Sequence, residues 1–248
     1  MNVVCVFAHQ DDEMRCLGTL LRMREAGHSI AFVCVTRGDK GLAFDPGIDH
    51  DTAAAIRDEE MRAVGDAFGA SYRCLQREDG FLAEDSDLRR ELVVTLRELR
   101  AELVFTHWVR DYNSDHVVTA SAVTDAALFT TIASIEPHTP ALPSVPRLYY
   151  THPGEGYDFE PTHFVELAAR HREVKTELIR LHRSQMDVMR RMRGHDYADE
   201  MADEEKRLGA RLMTDYVEAF RPCLAERRIP WPYDLPGALP AVHEEFTS

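Results

Sequence analysis

Four side chains able to bind a metal or move a proton fall within five positions: His9, Asp11, Asp12 and Glu13. An imidazole and three carboxylates this close repel one another unless positive charge sits among them. A divalent cation supplies that charge, and histidine with carboxylate suits zinc, with iron as the alternative. A second cluster, Asp111-Tyr112-Asn113-Ser114-Asp115-His116, offers the same chemical types. His9, Asp12 and His116 make a three-ligand set that leaves positions open, as a catalytic metal requires. Asp11, beside a ligand but pointing elsewhere, is the candidate to take a proton from a water acidified by the metal. Asp115 is the candidate to fix the orientation of an imidazole.

The elements must bring these clusters together. Residues 3–8 are an unbroken apolar run, which reads as a strand buried on both faces. A helix over residues 12–26 and a strand over 29–36 complete a right-handed βαβ unit. Helices are expected over 52–68, 86–100 (with Ser86 as N-cap) and 114–135, and strands over 71–76, 103–106 and 147–152. Residues 162–193 and 199–220 read as helical. This alternation predicts an α/β fold: a Rossmann-like, doubly wound, mostly parallel sheet flanked by helices, with a helical C-terminal extension. In a parallel sheet the ends of the first and fourth strands share one edge, so the two clusters meet there. Residues 1–225 read as a single domain and 226–248 as a Pro-containing tail, while the 37–51 loop lies at the site's level and is long enough for a lid. The first turn lacks Gly-x-Gly-x-x-Gly, and its acids would repel a pyrophosphate, which argues against a dinucleotide.

With 248 residues, 44% hydrophobic and 29% charged, the composition is that of an ordinary globular protein. The net charge of −14 argues against nucleic acid or an anionic membrane as partner. No apolar run reaches membrane-span length, and the N-terminus lacks a basic region with a cleavage site. The five scattered cysteines read as reduced core residues, which together with these features predicts a cytoplasmic protein. The expected partner is a small molecule; a homo-oligomer stays open.

Ala8-His9-Gln10-Asp11-Asp12-Glu13 with Gly18-Thr19 resembles the Ala-His-Pro-Asp-Asp-Glu…Gly-Gly-Thr signature of the PIG-L/LmbE-like metal-dependent N-deacetylases. Arg57-x-x-Glu60, Asp79-Gly80, Ser114-Asp115-His116, Lys175, His182 with Gln185, and Glu218-Ala219-Phe220 resemble further motifs of that family, in order. The resemblance implies hydrolysis of an acetamide, commonly on an N-acetylglucosamine-like sugar. His9, Asp12 and His116 would bind zinc (or iron), and Asp11 would be the general base. Arg57 and Asp79 would hold substrate hydroxyls. Two positions depart from the pattern. Gln10 replaces a Pro, which predicts a looser turn. Asn113 stands where the family has a His that stabilises the oxyanion; its amide can donate a hydrogen bond but carries no charge. Alternative readings are an amidase acting on a thiol-sugar conjugate and a non-catalytic, metal-stabilised relative.

Overall fold

The computed structural model describes residues 1–43, 45, 47–154 and 158–239. The apolar runs become central strands. β1 (Asn2–Phe7) and β2 (Ser29–Thr36) are buried along nearly their whole length and pair in parallel, joined by α1 (Leu17–Glu25). After α2 (His50–Phe68), β3 (Ser71–Arg77) pairs with β2. After α3 (Ser86–Glu98), β4 (Leu103–Thr106) pairs with the other side of β1. α4 (Ser114–Phe129) then leads to β5 (Arg147–Thr151), parallel to β4. The order β3-β2-β1-β4-β5 changes direction between β1 and β4. Open α/β sheets bind ligands beyond the strand ends at such a switch point.

Alternate residues of β1 feed two cores. Val3, Cys5 and Phe7 pack with Leu17, Leu20 and Met61 on one face of the sheet. Val4 and Val6 pack with Leu88, Leu92 and Val123 on the other. All five cysteines are free thiols.

The C-terminal half differs from the sequence reading. Residues 162–193 contain β6 (His163–Glu166) before α5 (Ala169–Ile179) and α6 (Arg183–Arg193). Residues 199–220 split between α7 (Tyr197–Arg211) and β7 (Val217–Pro222). β7 runs antiparallel between β5 and β6 and completes the order β3-β2-β1-β4-β5-β7-β6. Strands this short carry too few alternating positions to stand out beside a helix.

Other boundaries move for local reasons. The first predicted helix opens as a 3-10 turn, Asp12–Arg15, and breaks at Cys16. Asp85, not Ser86, caps α3: its Oδ1 accepts from the Leu88 N–H at 2.7 Å. α4 stops at Phe129 because the Arg97 guanidinium collects the carbonyls of Phe129, Thr130, Ile132 and Ile135 from the unwound chain. Of the predicted tail, Ile229 and Leu235 are buried, and 240–248 lie outside the described residues.

β7 also anchors the segment after the first cluster. Glu218 accepts from the N–H groups of Gly18 (2.8 Å) and Thr19 (2.7 Å) and from the Thr19 hydroxyl (2.6 Å). A carboxylate at a helix N-terminus satisfies donors the helix itself leaves unpaired. The Lys175 ammonium balances it at 2.5 Å and also meets Glu205, whose other oxygen lies 2.9 Å from Arg172.

Candidate metal centre

β1 delivers His9 to the sheet edge, and the chain then turns sharply. Asp11 has φ +114°, a conformation L-residues rarely adopt. Its surroundings hold it there. Its N–H donates to Glu13 Oε2 at 3.0 Å, and Glu13 Oε1 pairs with His182 Nε2 at 2.7 Å. Its carboxylate pairs with Arg57 Nη2 at 2.7 Å, and the same nitrogen donates to the Gln10 carbonyl. Gly38 and Gly41 leave room for this arrangement. A Cβ on Gly38 would overlap the Gln10 amide, and one on Gly41 the Arg57 guanidinium. Gln10 does not loosen the turn. Its side chain is fully buried, and Nε2 donates to the Thr36 carbonyl at 3.3 Å, tying the turn to β2.

Carboxylates decide which imidazole nitrogens face inward. His9 Nε2 lies 3.1 Å from Asp79 Oδ1 and 3.4 Å from Asp115 Oδ2. His116 Nδ1 lies 3.1 Å from Asp111 Oδ1. A carboxylate beside one ring nitrogen keeps a hydrogen there and leaves the other nitrogen's lone pair free. The two free nitrogens, His9 Nδ1 and His116 Nε2, are 3.3 Å apart. Asp12 completes the triangle, with Oδ2 3.2 Å from His9 Nδ1 and Oδ1 3.3 Å from His116 Nε2. Zinc bonds of ~2.0–2.2 Å at tetrahedral angles give ligand-to-ligand edges of ~3.3–3.6 Å. His9, Asp12 and His116 can each offer one ligand atom, and these atoms lie within 4.8 Å of one another, so the set could hold a metal ion and leave positions open. Two other groupings, His107 with Asp111 and His116, and His9 with Asp79 and Asp115, also lie within reach of an ion. They fit less well: His107 Nε2 already accepts from the Ala8 N–H at 2.9 Å, and Asp115 already accepts from the N–H groups of Gly80 (2.6 Å) and Leu82 (3.2 Å).

The electrostatics follow from burial and pairing. Burial opposes charge on Asp12, yet His116 and His107 outweigh it and hold its carboxyl well below the usual range. Burial raises Asp11, with Arg57 opposing and Asp12 adding to the rise. Burial pushes His107 down to about 4, helped by His116, on which its ring stacks at 3.8 Å. For His116 burial is outweighed by Asp12 and Asp111, which bring it up to about 9.

Asp11, Asp12 and His116 line a cavity of about 60 Å³, together with Tyr112, His152 and Tyr197. Arg57 and Asp79, expected at substrate hydroxyls, lie behind it and are 2% and 4% exposed. Arg57 holds Asp11; Asp79 supports His9 with one oxygen and accepts from the Lys40 N–H at 2.7 Å with the other. Asn113 does not line the cavity. It caps α4, Oδ1 accepting from the Asp115 N–H at 2.9 Å. From the sequence, His107 and His152, both at strand ends, could also stand in as donors for the histidine that Asn113 replaces; nothing in it placed Tyr197 of α7 at the site.

An α/β sheet with histidines and carboxylates converging at its switch point defines a protein with a candidate metal centre of catalytic type. The chain belongs to the PIG-L family, whose model, described as GlcNAc-PI de-N-acetylase, matches residues 4–127. It is 30% identical over 132 residues to a probable N-acetyl-alpha-D-glucosaminyl L-malate deacetylase 2 of Bacillus anthracis, a match covering 50% of this chain and 58% of that protein. It is 26% identical over 197 residues to the diacetylchitobiose deacetylase of Thermococcus kodakarensis, covering 74% and 70% of the two chains. Its fold is similar to that of N,N'-diacetylchitobiose deacetylase from Pyrococcus horikoshii, with a TM-score of 0.77, 21% identity, and 89% and 83% of the chains covered. It is also similar to that of 4-carboxy-2-hydroxymuconate hydratase from Pseudomonas putida, with a TM-score of 0.71, 19% identity, and 91% and 98% covered. That likeness extends to a hydratase, so the fold does not select the reaction.

Proposed function

We propose that this chain is a zinc-dependent N-deacetylase that removes an acetyl or similar acyl group from the amide nitrogen of an amino sugar or related small molecule. The observation that carries the reading is the triangle of His9 Nδ1, His116 Nε2 and the Asp12 carboxylate, with Asp11 on the same small cavity. His9, Asp12 and His116 hold the ion. When bound, it polarises the acyl oxygen and makes a water acidic near neutral pH.

The chain's own groups do the rest. Asp11, raised by burial, takes the proton from the attacking water and later returns it to the leaving nitrogen. Arg57 aims the Asp11 carboxylate and, in this reading, positions the base rather than a sugar hydroxyl. Asp79, Asp111 and Asp115 fix the ligand imidazoles. A cavity of about 60 Å³ suits an acyl group, not a sugar. It shares Arg15 and Tyr112 with a polar depression of about 290 Å³ that also has Arg193, Glu200, Glu204 and Arg207 on its walls. The rest of the substrate lies there. The deacetylases of amino-sugar conjugates among the relatives support this substrate class.

The test pairs metal analysis of the purified protein with acetate release from N-acetyl amino sugars, before and after chelation. We expect about one ion per chain and acetate release that chelation abolishes. Asp11→Asn should keep its metal and release no acetate. Wild-type turnover that survives complete metal removal would overturn the reading.

A further inference from the structure

The polar depression beside the acyl cavity is unevenly charged. Tyr197, Glu200, Glu204 and Arg207 of α7 all line it. Their spacing of three, four and three positions puts them on one helical face. Arg15 and Arg193 complete its charged wall, and the remaining wall residues are uncharged. Both carboxylates are taken. Glu204 pairs with Arg15 at 2.8 Å and with His152 Nδ1 at 2.9 Å. Glu200 pairs with Arg193 at 2.5 Å and with His195 at 2.9 Å. Arg207 has neither an ion pair nor a hydrogen bond among the described residues.

An unpaired cation stands out in a chain of net charge −14. Local partners are at hand: Asp203 and Glu204 precede Arg207 by four and three positions, the spacing of a helical ion pair. Neither pairs with it, and its side chain lines the depression instead. The other two arginines are less available. Arg193 also stacks over the Tyr197 ring at 5.5 Å, and Arg15 also reaches the Tyr197 hydroxyl at 3.5 Å. Tyr197 borders both the depression and the acyl cavity, so α7 runs from one to the other. Arg207 lies ten positions beyond Tyr197. That is ~15 Å along the helix axis. Whatever Arg207 meets therefore belongs to the end of the substrate away from the acyl carbon.

We propose that the substrate carries an anionic oxygen group, a carboxylate or a phosphate, remote from its amide, and that Arg207 selects it. This rests on the deacetylase reading. A guanidinium presents its N–H donors in a planar fork that matches two oxygens of either group. Arg207 can offer that fork to a ligand because no acid among the described residues occupies it. An uncharged sugar gains nothing comparable there, and a cationic substituent is repelled. The contact lies far from the reacting bond, so it binds ground state and transition state alike and acts on KM more than on kcat. Arg207 is exposed, so water and salt screen the contact and keep the discrimination to about tenfold.

The experiment titrates the zinc-loaded protein calorimetrically with deacylated sugars, which it cannot consume. Glucosamine is the reference. Glucosamine 1-phosphate, glucosamine 6-phosphate and muramic acid place an anion at three positions of the same ring. Acetate release from the N-acetyl forms is followed in parallel, as the ratio of kcat/KM for charged over uncharged sugar. Wild type should favour at least one anionic sugar by about tenfold in both readouts. A phosphate preferred over the carboxylate, or the reverse, then names the group. Arg207→Gln should bring the affinity ratio below about threefold, and Arg207→Lys, which keeps the charge without the fork, should recover part of it. Raising salt from about 0.05 to 0.5 M should shrink the wild-type preference severalfold. A wild type that prefers none of the three anions would overturn the proposal, and acetate release would still support the deacetylase reading. A preference that survives Arg207→Gln would also overturn it, since the zinc ion and not Arg207 would then read the anion. An Arg207-dependent preference in the titration without any acetate release would remove the deacetylase reading and keep the anion site.

Discussion

Each imidazole of the proposed ligand set has a carboxylate behind it: Asp79 and Asp115 at His9, and Asp111 at His116. Asp111→Asn keeps the shape but lets the His116 ring choose the wrong tautomer. Zinc affinity should fall about 10–100-fold, measured by competition with a chromophoric chelator. Affinity unchanged within a factor of two would mean that Asp111 does not orient the ring. How much of this was legible varies residue by residue. His9, Asp11 and Asp12 were readable because they are neighbours in the chain at the end of an apolar strand. His116 was readable because a parallel sheet brings its segment to the same edge. Arg57 and Asp79 were expected at substrate hydroxyls, and in the structure their side chains meet Asp11 and His9, contacts the sequence did not show because it locates a Cα far better than it aims a side chain. Asn113 was read as an oxyanion donor in place of a histidine; in the structure its side chain caps α4, a local use that its own peptide neighbours decide. The pairing of His152 with Glu204 joins residues with no sequence pattern in common.

Among the elements, the parallel half of the sheet was predicted nearly to the residue, because long buried runs leave little ambiguity. β6 and β7 were read as helix, and they carry much of the architecture around the site. β7 holds Glu218, which satisfies the N-terminus of α1 and shares Lys175 with Glu205. This cluster is buried: the Lys175 side chain is wholly out of solvent. Truncating one partner of a buried ion pair strands the others. Lys175→Met should therefore destabilise the fold by about 3–5 kcal/mol in urea unfolding. A loss under 1 kcal/mol would mean that water enters the cluster and screens it.

For the molecule as a whole, the proposed metal would compete with protons for the same nitrogens, and stability should report it. After chelation, His107 folds with a value of about 4 against roughly 6.5 in the unfolded chain. The unfolded state then takes up a proton first as pH falls, so stability drops between about 6.5 and 4, by roughly 3 kcal/mol. His116 does the reverse. Raised to about 9, it contributes stability that is fully present below pH 6.5 and lost as pH rises through about 9. His9 is raised as well and steepens that limb. The chelated protein should be most stable near pH 6.5 in denaturant titrations, and zinc should flatten the alkaline limb. A monotonic profile would contradict the assignment of these rings. At a free zinc concentration about 100-fold above Kd, binding adds about 2.7 kcal/mol. For a chain of this size that raises Tm by roughly 5–10 °C, and an excess of chelator should reverse it.

The grip of Glu218 on α1 sets a schedule for the growing chain. The ribosome delivers His9 and Asp12 before His116, and the carboxylate that secures α1 emerges about a hundred residues after His116. Until then the donors exist without the scaffold that spaces them, and a nascent chain offers scattered histidines in place of a selective centre. On the proposed reading a selective metal centre therefore forms only once residue 218 has been made, and a chain cut short before it would carry every proposed ligand and still lack the anchor for α1.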